Sequence, residues 1–184
     1  MKLSAIFRGG KVTKPSTPEN SFSANVYDGL SATAIQVQNG VDLATDGGMV
    51  IIKKRNTTAS ASPKLMWTDH GPTKSMVGET TTAMATDTPL QSFNVDGFTV
   101  APSNAFTNGA NMSFAAYTFK NADKFFVTKT LVHTVGVADT VDLSSLGSVG
   151  MALVVNTSVA QNRMVWHKNL ANGVLIRWDG ANAQ

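Results

Sequence analysis

Apolar and polar residues alternate along this chain in many short runs, each bounded by turn-forming residues. Ser23 to Tyr27 and Ala32 to Gln38 alternate near the start. Met49-Val50-Ile51-Ile52 is a continuous apolar run that emerges into Lys53-Lys54-Arg55, the pattern of a buried strand ending in solvent. Lys64-Leu65-Met66-Trp67 follows a loop of Thr, Ala and Ser that closes at Pro63. Gln91-Ser92-Phe93 and Phe98-Thr99-Val100 flank Asn94-Val95-Asp96-Gly97 and predict a hairpin, because the Asp-Gly pair supplies the positive φ that a tight turn needs. Met112 to Phe119 alternates well, and Phe125 to Val135 is rich in β-branched and aromatic residues. Met151 to Val155, Arg163 to Trp166 and Val174 to Trp178 complete the set.

A period of two places successive side chains on opposite faces of a sheet. No segment sustains the 3.6-residue period of a helix with its caps, and Ala83 to Asp87 has room for one helical turn at most. Many short strands with frequent turns predict an all-β fold of antiparallel, sandwich-like modules. Residues 1–20 stand apart: glycines, prolines and lysines from Gly9 to Asn20 exclude a central strand and predict an extended N-terminal arm, either a loose terminus or a strap that docks on a neighbour.

The chain also repeats itself. Val41-Asp42-Leu43 recurs as Val141-Asp142-Leu143, Gly48-Met49 as Gly150-Met151, and Lys64-Leu65-Met66-Trp67 as Arg163-Met164-Val165-Trp166. Three ordered matches at a nearly constant offset of about 100 residues predict two tandem related modules, residues 21–124 and 125–184. The second is the shorter, because it has no counterpart of the Phe93 to Val100 hairpin or of the Met112 to Phe119 strand. Either it is naturally short or the sequence continues. A half-built sheet leaves open edges, which need the first module, a neighbouring subunit or further sequence to cover them.

Composition narrows the classes. Hydrophobic residues make up 42% of the chain, enough for a core, whereas charged residues make up only 15%, well below the ~25% of an ordinary soluble domain. The formal charge of +3 is dispersed, and its one tight group, Lys53-Lys54-Arg55, reads as a solvated strand end. Phosphate contact needs a broader basic face, so a nucleic-acid partner is not expected. The absence of cysteine excludes disulfides, thiol nucleophiles and thiolate metal sites. The apolar run from Met1 to Phe7 stops at Arg8-Gly9-Gly10, too soon for a signal peptide. No stretch approaches the ~20 apolar residues of a membrane helix. A soluble protein made in the cytoplasm, with no secretion signal and no membrane insertion, is the expectation.

Candidate chemistry is sparse. Trp67, with Asp69 and His70 after it, and Trp166, with His167 and Lys168 after it, occupy matched positions. They read either as an aromatic platform for sugar, with polar neighbours fixing its orientation, or as core tryptophans ending a strand. Trp67, His70, Trp166 and His167 are therefore the candidate contacts for a glycan or a protein partner. The three histidines His70, His133 and His167 have no metal-ligand spacing, and no zinc-protease or nucleophile-elbow motif occurs. Asp42 and Asp142 look like turn formers, and the only glutamates are Glu19 and Glu79, so nothing marks the carboxylate pair of a glycosidase. No enzyme activity, cofactor or metal is expected.

The repeated residues also carry a resemblance. Val41-Asp42-Leu43, Gly48 to Arg55 and Leu65-Met66-Trp67-Thr68-Asp69 resemble a module common in bacteriophage tail-fibre and other virion proteins, in which an apolar strand ending in Lys-x-Arg precedes a Trp strand. Its later hairpin is matched by Phe93, Gly97, Phe98 and Val100, and its closing aromatic strand by Ala115-Ala116-Tyr117-Thr118-Phe119-Lys120. The second repeat departs from it, with Asn156 and Thr157 where the Lys-x-Arg element would be. The resemblance implies a β-rich, often repeated virion module without a defined catalytic site. It implies a tail appendage such as a tail fibre or baseplate-attached protein, with a capsid decoration (cement) protein and a carbohydrate-binding module as the alternatives. The implied partners are other phage structural proteins, further copies of this chain in a homo-oligomer such as a trimer, and a host surface glycan.

Overall fold

The alternation becomes one-sided burial. In the strand Ser113–Lys120, Phe114, Ala116 and Thr118 are fully buried while Tyr117 between them is exposed. The structure, a computed structural model, describes residues 18–56, 62–171 and 174–178, so the expected arm falls almost wholly outside the described residues, as does part of the loop before Pro63. Its elements are α1 (Pro18–Ser21), β1 (Phe22–Asp28), β2 (Ile35–Gln38), α2 (Leu43–Asp46), β3 (Gly48–Lys54), β4 (Lys64–Trp67), β5 (Lys74–Val77), β6 (Ala85–Thr86), β7 (Leu90–Asn94), β8 (Gly97–Val100), β9 (Ser113–Lys120), β10 (Met151–Val154), β11 (Met164–His167) and β12 (Ile176–Arg177). The fold is all-β, as the pattern predicts. Three sheets run in the orders β1-β9-β3-β4-β5-β6, β2-β8-β7 and β10-β11-β12, with every strand pair antiparallel.

The first two sheets share one core. Val50 and Ile52 of β3, Met66 of β4, and Phe114 and Ala116 of β9 pack with Val37 of β2, Leu90 of β7, and Phe98 and Val100 of β8. Val41 and Leu43 at the β2–α2 corner close the same cluster. Two sheets burying their inner faces against each other form a sandwich, in which each fully buried aliphatic or aromatic side chain stabilises by about 1.5–3 kcal/mol. β9 is the strand both neighbours need. It pairs with β1 from Phe22↔Phe119 to Asp28↔Ser113 and with β3 from Gly48↔Lys120 to Lys54↔Phe114.

The predicted hairpin is β7–β8, joined through Val95-Asp96 with Asn94 opposite Gly97. Gly97 takes φ +109° at the first position of β8, where a Cβ would lie 2.0 Å from the Val37 carbonyl oxygen, so both the dihedral and the neighbouring strand demand glycine. The turn is docked as well: Asp96 Oδ1 accepts from the Gly40 N–H at 2.6 Å, and the Gly97 N–H donates to the Val41 carbonyl at 2.8 Å.

Some segments differ from the sequence reading. Phe125 to Val135 forms no strand; only an isolated bridge, Ala122↔Phe126, touches it. Val132 is 91% and Val135 92% exposed, so its β-branched residues have no sheet to pack on, and propensity without a partner does not make a strand. Ala83 to Asp87 holds β6 rather than a helical turn, because β5 offers it a ladder at Lys74↔Thr86 and Ser75↔Ala85. A helical turn forms instead at α2, where an Asp side chain caps it. Asp42 Oδ1 accepts from the Thr45 N–H at 2.9 Å at the start of α2.

Tyr27 stacks on Phe114 with ring centroids 5.2 Å apart and donates its hydroxyl to the Thr107 carbonyl at 2.7 Å. Burial disfavours its phenolate and holds its pKa far above the ordinary value of 10.0. A folded-state pKa above the unfolded one gives stability that is complete below about 10 and is lost as pH rises beyond it, because the unfolded chain then ionises first. The chain has two tyrosines. In a Tyr117→Phe variant, where Tyr27 is the only tyrosine, tyrosinate absorbance is expected to rise in alkali only together with loss of the β-sheet circular dichroism signal.

Candidate functional site

The two repeats build related local structures. In the first, Asp42 caps α2, Gly47 ends it at φ +71°, and β3-β4-β5 follow as a meander. In the second, Asp142 Oδ1 accepts from the Ser144 N–H at 2.9 Å, a 3₁₀ turn runs from Ser144 to Leu146, and Gly147 ends it at φ +70° before β10-β11-β12. The backbone N–H and the hydroxyl of Ser144 hold the Asp142 carboxyl below the usual carboxylate range. Both aspartates are the turn formers that the repeat suggests.

The meanders differ in register. Met49 pairs with Trp67, whereas Met151 pairs with His167 and Trp166 lies opposite Ala152. A shift of one residue exchanges the faces of a strand. Trp67 therefore shares a sheet face with Met49, while Trp166 lies on the face opposite Met151. The tryptophans match in sequence but not in their place on the sheet.

Trp67 and His70 do come together. Both are half-buried, and their rings meet edge to face with centroids 6.2 Å apart. His70 ends the 3₁₀ turn Thr68–His70, and Thr68 Oγ1 anchors that turn by accepting from the Gly48 N–H at 2.8 Å. Trp166 and His167 are consecutive in β11 and point to opposite faces, both half-buried; His167 Nδ1 accepts from the Asn169 N–H at 3.2 Å. No described contact joins this pair to Trp67 and His70. The third histidine, His133, pairs with Asp139 in the exposed 129–141 segment.

A cleft of about 390 Å³ opens where the repeats meet, lined by His70, Lys74, Met84 and Thr86 from the first and Thr157 and Ser158 from the second. Two backbone bonds hold its walls together, from the Met84 N–H to the Thr157 carbonyl at 3.1 Å and from the Gln161 N–H to the Thr81 carbonyl at 3.0 Å. An imidazole, an ammonium and three hydroxyls around a thioether can donate to an anionic or hydroxyl-rich ligand while Met84 offers it an apolar contact. Among the described residues, no three His, Asp or Glu side chains gather as metal ligands would.

Two buried cations escaped the sequence reading, and they are repeat mates. Lys64 opens β4, 5% exposed; its Nζ lies 2.6 Å from Asp87 Oδ2 and 4.7 Å from the centroid of Phe106. The Ser75 hydroxyl donates to the same carboxylate. Arg163 stands immediately before β11, 1% exposed, and its guanidinium donates to the carbonyls of Val77 and Thr82, the latter at 3.0 Å. The Trp178 N–H donates to the Arg163 carbonyl at 2.8 Å, so this one residue links β12 to the edge of the first repeat. The signal was present: aligning the Trp strands sets Lys64 on Arg163.

Comparison with protein-family models, with curated proteins and with solved structures found no match for this chain.

Lys64→Ala is expected to lower stability by about 3 kcal/mol in urea unfolding, because it leaves the Asp87 carboxylate without its cation, and Lys64→Met should lose less if Asp87→Asn accompanies it. Arg163→Ala leaves two carbonyls short of a donor, at about 1–3 kcal/mol for a buried acceptor. In limited proteolysis, its first cuts should move into residues 150–178 while the sandwich stays intact.

Proposed function

We propose that this chain is a structural protein of a bacteriophage particle, most specifically a tail appendage, a tail fibre or baseplate-attached protein that serves assembly and host attachment. The observation that carries the reading is the second repeat. Among the described residues it builds a three-stranded sheet and leaves Met151, Val154, Ile176 and Trp178 exposed. Apolar surface of this kind on both sides of a small sheet is suited to assembly with partners rather than to life as a free monomer. The low charge and the virion-module motifs around Val41 to Asp69 and Phe93 to Lys120 support the same reading. Its partners are other phage structural proteins and further copies of the chain.

Host attachment has a specific observation of its own, the cleft that His70 and Lys74 share with the hydroxyls of Thr86, Thr157 and Ser158. Its lining fits a host surface glycan, with Trp67 beside His70 as the aromatic neighbour. Glycan-array binding that disappears in a His70→Ala, Lys74→Ala double variant is the expected result for attachment through this cleft.

The decisive experiment is immunogold labelling or cryo-electron microscopy of intact particles. Label on the tail supports the appendage; label on the head shell replaces it with a capsid decoration protein; particles without the chain overturn the virion reading.

A further inference from the structure

The first repeat defines what the second one lacks. In the first, β3 bonds to β4 along one edge and to β9 along the other, over seven residue pairs. In the second, β10 takes the place of β3 and bonds to β11 in the place of β4. The edge that would correspond to the β9 side of β3 has no paired strand among the described residues. Its N–H and C=O groups form a template for another antiparallel strand.

Chemistry selects the occupant. Native edges are guarded by charges, prolines or bulges. β1 ends in Asp28, β2 carries Gln36 and Gln38, β7 carries Gln91 and Asn94, β6 carries Thr86, and β12 carries Arg177. β10 alone among the described edge strands has only apolar side chains, and from Ser144 to Asn162 there is neither a charged residue nor a proline. In two-fold antiparallel pairing, positions equidistant from the axis face each other, so an axis through β10 sets Met151, Ala152, Leu153 and Val154 of one strand against the same apolar run of its copy. Every cross-strand pair is then apolar against apolar, and no charge has to be desolvated. Met151 is 58% and Val154 62% exposed, and they lie on opposite faces of the strand, so pairing here would cover apolar surface on both sides at once.

We propose that β10 is the self-association edge of this chain, pairing antiparallel across a two-fold axis with β10 of a second protomer. The two meanders then form one continuous six-stranded sheet. This pairing stands independently of any role in a phage particle.

The test is light scattering coupled to size exclusion on the full chain at micromolar concentration, followed by hydrogen exchange. The expected mass is twice the 19.4 kDa of one chain, and Val154→Lys should return it to that of a single chain with an unchanged circular dichroism spectrum. Val26→Lys, at an equally exposed position in the edge strand β1, should leave the mass doubled. Exchange on the unaltered protein needs no variant to fold: amides of Met151 to Val154 should slow as concentration rises. A monomer at all concentrations, a trimer, a dimer insensitive to Val154→Lys, or concentration-independent exchange in β10 would each overturn the proposal. None of these results bears on where the chain sits in a particle, which labelling decides separately.

Discussion

The architecture depends on one insertion, that of β9 between β1 and β3. These two strands are close in sequence yet never bond to each other; each completes its ladder only against Ser113–Lys120. The inserted strand is built for both tasks. Its inward positions Phe114, Ala116 and Thr118 supply bulk, a small contact and a hydroxyl that takes the Asn39 amide at 2.9 Å. Its backbone runs so close to β3 that a Cβ on Gly48 would lie 2.0 Å from the Phe119 carbonyl oxygen. Without this strand the larger sheet falls into two pieces, and the smaller sheet loses Phe114 and Ala116 from the surface on which Phe98 and Val100 pack.

How much of this could be read from sequence varies with distance along the chain. The β7–β8 hairpin was legible because its turn, Asp96-Gly97, and its flanking alternation are local. β9 was legible as a strand, but its position between β1 and β3 was not, since alternation reports a face and says nothing about neighbours. Phe125 to Val135 misled for the same reason: its β-branched residues are suited to a sheet that the chain does not offer them. β5 and β6 were missed because their four and two residues carry too little pattern, and only the Lys64–Asp87–Ser75 cluster explains why the chain turns there. At the candidate site, Trp67 and His70 could be placed together because only Thr68 and Asp69 lie between them. The cleft could not, since Thr157 and Ser158 reach it only through long-range packing.

The paired cations show how a duplicated position diverges. Lys64 carries a point charge and is matched by a carboxylate and an aromatic face, which keeps a compact ammonium satisfied within one module. Arg163 has a planar fork of donors and uses it on two backbone carbonyls, those of Val77 and Thr82, in the other repeat. The same slot at the head of the Trp strand thus serves internal cohesion in one repeat and attachment between repeats in the other. The one-residue register difference between the meanders belongs with this divergence, since two sheets with different surroundings need not keep the same face inward.

The position of β9 has a consequence for the chain while it is being made. A ribosome delivers β1 and β3 long before Lys120 emerges, and at ordinary elongation rates about five to twenty seconds separate the end of β1 from the end of β9. During that interval the nascent chain carries two strands whose shared neighbour has not been synthesised. Asp28 on β1 and Lys53, Lys54 and Arg55 at the end of β3 are the charges that guard those strands meanwhile, while Phe22 to Tyr27 and Met49 to Ile52 carry none, so translation speed across residues 28–120 becomes part of what determines the yield of folded protein.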